Sequence, residues 1–133
     1  METTSISNVD QKTILLVDDD QLVIDVIGKI LSDGHYNVVT AMSGAEGLQK
    51  SRVFEHEIHL LLADFDMRGM TGSELATAIN IDRPEIKVLL MSGFEGGTLI
   101  LNEGWHFLPK PFVPTQLRAL ITNLVFPDKK SRF

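Results

Sequence analysis

The chain has 133 residues, a hydrophobic fraction of 44% and a formal net charge of -6, values of a single globular domain with one continuous core rather than of a disordered segment. The acidic balance disfavours direct contact with nucleic acid or an anionic membrane. The absence of cysteine excludes disulfides and thiolate metal sites. No apolar run reaches the roughly 18 residues of a membrane span, and Met1 to Ser5 lack the basic and apolar regions of a signal peptide, so the expectation is a soluble, cytoplasmic protein.

Residues 1–12 are polar and aperiodic and read as a flexible tail. Thr13 to Val17 is a short apolar run, followed by Leu22, Val23, Val26, Ile27, Ile30 and Leu31 at helical spacing, with Gly34 at the C-cap position. Asp20 suits the N-cap of that helix. A second strand is predicted over Tyr36 to Thr40. Ser43 to Glu46 then has the spacing of a capping box, opening a helix to about Phe54. A third strand covers Ile58 to Ala63, and Thr71 to Glu74 again has capping-box spacing ahead of Leu75, Ala78 and Ile79, until Pro84 stops the helix. Ile86 to Met91 is the fourth strand and Trp105 to Leu108 the fifth. The last helix starts near Pro114, carries Leu117, Leu120, Ile121 and Leu124 on one face, and ends at Pro127. Residues 13–126 thus form one domain and 127–133 a short tail.

Five strands alternating with about five helices predict an α/β fold, a parallel sheet covered on both faces. The runs 14–17, 58–63 and 86–91 are almost continuously apolar, as central strands require. Ligands of such sheets bind beyond the carboxyl ends of the strands, so the residues just after each strand carry the functional information. Strand one is followed by Asp18, Asp19 and Asp20, strand three by Asp64, Phe65 and Asp66, strand four by Ser92, and strand five by Lys110. Three carboxylates gathered at one rim repel one another and call for a cation. Oxygen-only ligands at an open polar rim suit Mg²⁺. A metal, a lysine and a hydroxyl around one carboxylate is what a phosphoryl acceptor needs, because charge spreads over three oxygens in transfer. The four histidines, 35, 56, 59 and 106, show no convergent spacing and read as packing or surface groups.

Four segments carry a resemblance: Ile14 to Asp20, Leu61 to Gly72, Met91 to Gly93, and Phe107 to Phe112. In this order and spacing they resemble the receiver domains of two-component response regulators over about residues 13–126. The resemblance implies a flavodoxin-like sheet of order 2-1-3-4-5. It implies transfer of a phosphoryl group from a sensor histidine kinase or histidine phosphotransfer protein onto Asp64. It implies Mg²⁺ held by Asp19, Asp64 and the backbone carbonyl of Asp66, with Asp18 acting through water. Ser92 matches the switch hydroxyl, Phe107 the switch aromatic and Lys110 the phosphate-binding lysine, with Lys110-Pro111 as a cis peptide. Such a domain assists its own phosphorylation and slow hydrolysis and turns over no external substrate. Asp66 and Phe94 match the two positions that flank the attacking water.

Three positions depart from the family pattern. Arg68 replaces the usual proline, which makes the loop looser or gives it a charge contact. Only seventeen residues, four of them glycine, separate Ser92 from Lys110, which predicts a shortened fourth helix. Val113 stands where a capping Asp or Ser is common. The short segment after residue 126 predicts output by contact with another protein, or a receiver that belongs to a hybrid kinase. Two other readings stay open. One is a phosphohydrolase with Asp64 and Asp66 as nucleophile and acid, resembling the haloacid dehalogenase motif, although that fold places the pair after its first core strand. The other is a pseudo-receiver, which the complete acidic, Ser and Lys set disfavours.

Overall fold

The computed structural model describes residues 11–93 and 104–127. Five strands, β1 (Thr13–Val17), β2 (Asn37–Ala41), β3 (Leu60–Asp64), β4 (Lys87–Ser92) and β5 (Trp105–Pro109), form one parallel sheet of order β2-β1-β3-β4-β5. Four helices are described: α1 (Gln21–Asp33), α2 (Gly44–Val53), α3 (Gly72–Asp82) and α4 (Pro114–Val125). The shortened helix expected between β4 and β5 falls outside the described residues. The α/β doubly wound fold and strand order are as the sequence and its resemblance predict.

Alternation along the strands divides the core in two. Ile14, Leu16, Leu60, Leu62, Leu89 and Met91 pack on Ile24, Ile27 and Leu31 of α1 and on Leu117, Ile121 and Leu124 of α4. Leu15, Val17, Leu61, Ala63, Val88 and Leu90 face the other way, onto Leu75, Ala76 and Ile79 of α3, with Leu48 of α2 at the margin. The helix residues recur at three- and four-residue spacing, one stripe per helix. β1, β3 and β4 are buried along almost their whole length, whereas edge strand β2 is largely half-buried.

Caps set where the helices begin. Asp20 is the N-cap of α1, its side chain accepting from the Leu22 N–H at 3.0 Å. Thr71 and Glu74 form a complete capping box on α3. Ser43 caps α2 by accepting from Glu46 N–H, but Glu46 reaches back to the N–H of Met42 rather than of Ser43, so that box is displaced by one residue. At Val113 the side chain offers no acceptor, and α4 relies on Gln116, whose side chain accepts from Val113 N–H at 2.9 Å. Gly34 occupies the C-cap of α1 with φ of -85°, and the left-handed residue is His35, at φ 70°.

Candidate functional site

Strand register assembles the rim. Val17 lies opposite Ala63, so Asp18 and Asp64 are the next residues on adjacent strands. Asp64 lies opposite Met91 and Ser92 opposite Pro109, which places Ser92 and then Lys110 one step further along. Backbone bonds carry this pairing past the strand ends: Asp18 N–H donates to Ala41, Phe65 N–H to Met91 and Lys110 N–H to Ser92. Lys110-Pro111 is cis, as the resemblance implies.

Oxygens of Asp18, Asp19 and Asp64 lie within 4.8 Å of one another. Lys110 Nζ is 3.3 Å from Asp64 Oδ1 and 3.9 Å from Asp18 Oδ2. This lysine therefore faces a cluster of three carboxylates, two of them buried. Asp18 Oδ1 accepts from Asp20 N–H at 2.9 Å, but its buried Oδ2 has no hydrogen-bond donor among the described residues. Burial is the largest influence on Asp18, pushing its pKa from 3.8 to about 6. The charges of Asp64 and Asp19 push the same way, while the Asp20 N–H and Lys110 oppose. Asp64 is likewise raised, first by burial, against the pull of Lys110. Repulsion, which the sequence suggested as the cause, ranks behind desolvation. A hard, oxygen-only donor set with an orphaned buried carboxylate oxygen fits Mg²⁺.

The loop after β3 is held to this rim from two sides. Gly69, at φ 78°, turns the chain. Arg68 N–H donates to Asp19 Oδ2 at 3.2 Å, and the Arg68 guanidinium Nε lies 3.6 Å from the same oxygen. The departure from proline thus produces a charge contact. Gly72 N–H donates to Phe65, and a Cβ on Gly72 would collide with the Asp64 carbonyl oxygen and approach Phe65 Cα. Only glycine lets α3 start this close to Asp64, a constraint that the capping-box pattern does not reveal.

Ser92, with 0% exposure, donates its hydroxyl to Asp66 Oδ2 at 3.0 Å. Asp66 itself is exposed, and its N–H lies 3.4 Å from Asp64 Oδ1. Phe107 lies opposite Leu90 and packs, partly buried, on the α3 side of the core. Phe94 lies outside the described residues. Of the histidines, His59 supports the fold, its Nδ1 accepting from Thr13 N–H at 3.0 Å at the opposite end of β1.

Known proteins add a decisive match. The sequence model of the response regulator receiver domain matches residues 14–122. The chain belongs to this family. Cell cycle response regulator CtrA of Brucella ovis is 27% identical over 120 residues, which cover 87% of this chain and 51% of CtrA. The chain therefore spans about half the length of that relative. The receiver domain protein of Methanospirillum hungatei JF-1 is 30% identical with a TM-score of 0.80, over 92% of this chain and 99% of that one. TrrA of Thermotoga maritima, solved in complex with Mg²⁺-BeF, is 26% identical with a TM-score of 0.75, over 86% of this chain and 99% of TrrA. Among the described residues of this receiver, no helix is long and apolar enough to cross a membrane.

Proposed function

We propose that this receiver accepts a phosphoryl group on Asp64 from the phosphohistidine of a sensor histidine kinase or histidine phosphotransfer protein. The observation that carries the reading is the convergence of Lys110 Nζ on Asp64 Oδ1 at 3.3 Å, beside Asp18 and Asp19. An Asp64 carboxylate oxygen forms the new bond to phosphorus as the bond from phosphorus to the donor nitrogen breaks, and the donor imidazole, protonated on its other ring nitrogen, takes the bonding pair and leaves as the neutral ring. Asp19, Asp64 and the Asp66 carbonyl would hold Mg²⁺, with Asp18 acting through water, and the ion would supply positive charge to the phosphoryl oxygens. Lys110, already beside Asp64, pairs with a second oxygen. Ser92 donates to a third, and its inward movement leaves room for Phe107 to rotate, so a local charge change biases the outer surface.

In this reading the chain is a cytoplasmic signalling domain, not an enzyme with an external substrate. Its output is contact with a downstream protein, as a regulator acting alone or as the receiver part of a hybrid kinase. It binds no nucleic acid directly, consistent with the net charge of -6. Incubation with Mg²⁺ and acetyl phosphate or phosphoramidate should raise the intact mass by one phosphoryl group, and Asp64→Asn should abolish the increase. Equal labelling of Asp64→Asn and the wild type would remove Asp64 from the mechanism.

A further inference from the structure

The Ser92 hydroxyl, assigned above to a phosphoryl oxygen, donates in the resting protein to a different acceptor, Asp66 Oδ2 at 3.0 Å. A hydroxyl carries one proton, so donation to Asp66 and donation to a phosphoryl group on Asp64 exclude each other. The acceptor is a carboxylate, which makes the resting bond charge-assisted and comparable in kind to the bond that would replace it. Ser92 is held at the end of β4 by the pairing of Ser92 with Pro109 and by Lys110 N–H donating to its carbonyl. With its backbone held there, exchange of the acceptor of the Ser92 hydroxyl involves rotation of the side chain.

We infer that Asp66 is a positioning residue that latches Ser92 in the resting arrangement and so opposes the phosphorylated one. The inference rests on the proposed role of Asp64. A phosphoryl group carries about -1.5 to -2 charges in place of the single charge of the Asp64 carboxylate it is bonded to, so it makes the surroundings of Asp66 more negative, repels its carboxylate and competes for the Ser92 proton. Two charge-assisted bonds of similar strength trade places, so the latch sets the balance between resting and active arrangements instead of forbidding either. Asp66 is exposed, which leaves its side chain free to swing into solvent once Ser92 departs.

The test uses the full chain with Mg²⁺ and beryllofluoride, a phosphoryl mimic, and measures its affinity by calorimetric titration. Asp66→Ala removes both the latch and a negative charge, and should tighten binding by about fivefold. In a Ser92→Ala background only the charge effect remains, so the same substitution should gain markedly less. The difference between the two backgrounds isolates the latch. Asp66→Asn, neutral but still an acceptor, should fall between wild type and Asp66→Ala, a comparison that needs no change at Ser92. Equal gains in both backgrounds, or equal gains from Ala and Asn, would reduce Asp66 to a bystander charge and end the latch. A wild-type protein that takes up no beryllofluoride would overturn the proposed function and the latch together, whereas normal uptake without coupling would overturn the latch alone.

Discussion

The two ends of the sheet solve opposite problems. At the amino end of the strands, α2 finishes beside the end of α3, and the end of α2 and the segment after it present carbonyls without a partner in the helix. Arg83 meets them: it donates to Ser51 Oγ at 3.0 Å, to the Ser51 and Phe54 carbonyls at 2.8 and 2.9 Å, and to the His56 carbonyl at 3.0 Å. A guanidinium at the C-terminus of α2 also opposes its partial negative charge. At the carboxyl end, three acidic groups gather around Lys110, and a buried carboxylate oxygen lacks a donor among the described residues. At the amino end the chain's own Arg83 serves the end of α2, although the buried Trp105 Nε1 there has no hydrogen-bond partner among the described residues. At the carboxyl end the unserved atom is a carboxylate oxygen, the group that the proposed cation would meet. Stability and function are therefore separated along the strand axis by some five residues of apolar core.

The sharpest way to break this division is at Arg83. Arg83→Ala deletes four hydrogen bonds, strands carbonyls at the end of α2, and should cost about 3 kcal/mol by denaturant titration. Arg83→Lys should recover only part, because an ammonium cannot span four acceptors in one plane. Mg²⁺ affinity should change by less than about twofold if the ends are independent. A large loss of Mg²⁺ binding in a still-folded Arg83→Ala protein would show that the clamp supports the site.

The acidic end should respond in the other direction. Asp18 has a folded pKa near 6, above its ordinary 3.8, so burial favours its neutral form. Its stabilising contribution is complete below 3.8 and is lost as pH rises through about 6. Asp18→Asn keeps an acceptor for Asp20 N–H without the charge, and should stabilise the metal-free protein by about 2 kcal/mol at pH 7.5 while weakening Mg²⁺ binding. His59 opposes this trend, since burial lowers its pKa. Its contribution is present above 6.5 and is lost as pH falls through its lower folded value. Metal-free wild type should thus lose stability relative to Asp18→Asn between about pH 4 and 7, and saturating Mg²⁺ should reverse that loss in the wild type. Stability curves of the two proteins that run parallel over this range would refute the buried-charge account.

How much of this was legible follows from how each feature is encoded. The rim was legible because a parallel sheet sends every strand end to one side, so Asp18, Asp64, Ser92 and Lys110 needed only strand boundaries accurate to a residue or two. The Asp20 cap and the Thr71 box are local patterns and were equally readable. Arg83 was not, because its acceptors lie 27 to 32 residues away and a charge before Pro84 looks like any solvated loop charge. The bond from Ser92 to Asp66 hides for a similar reason: both residues follow or end strands at the rim, but the sequence does not say which acceptor a hydroxyl chooses. The collision that forbids a side chain at Gly72 depends on where α3 meets β3, a tertiary distance with no local signature.

The smallest expected effect concerns Arg68, which puts a cation of the chain's own beside the acidic end. Its side chain is 92% exposed and its guanidinium lies 3.6 Å from Asp19 Oδ2, so the ion pair is a screened surface contact that counts for little in stability. Toward a divalent ion its sign is clearer, because a positive charge beside a proposed metal ligand repels the incoming cation. Arg68→Ala should tighten Mg²⁺ about two- to threefold at low ionic strength, and the gain should vanish near 0.5 M salt, where the screening length falls to a few ångströms. The backbone contribution is separable. Arg68 N–H still donates to Asp19 Oδ2 in Arg68→Ala but not in Arg68→Pro, so any affinity lost between Ala and Pro measures how far that bond holds Asp19 in place. If Ala and Pro bind Mg²⁺ alike, the 3.2 Å bond does not orient the ligand. If Ala binds more weakly than wild type at low salt, the guanidinium is helping to hold Asp19 for the ion and is not competing with it.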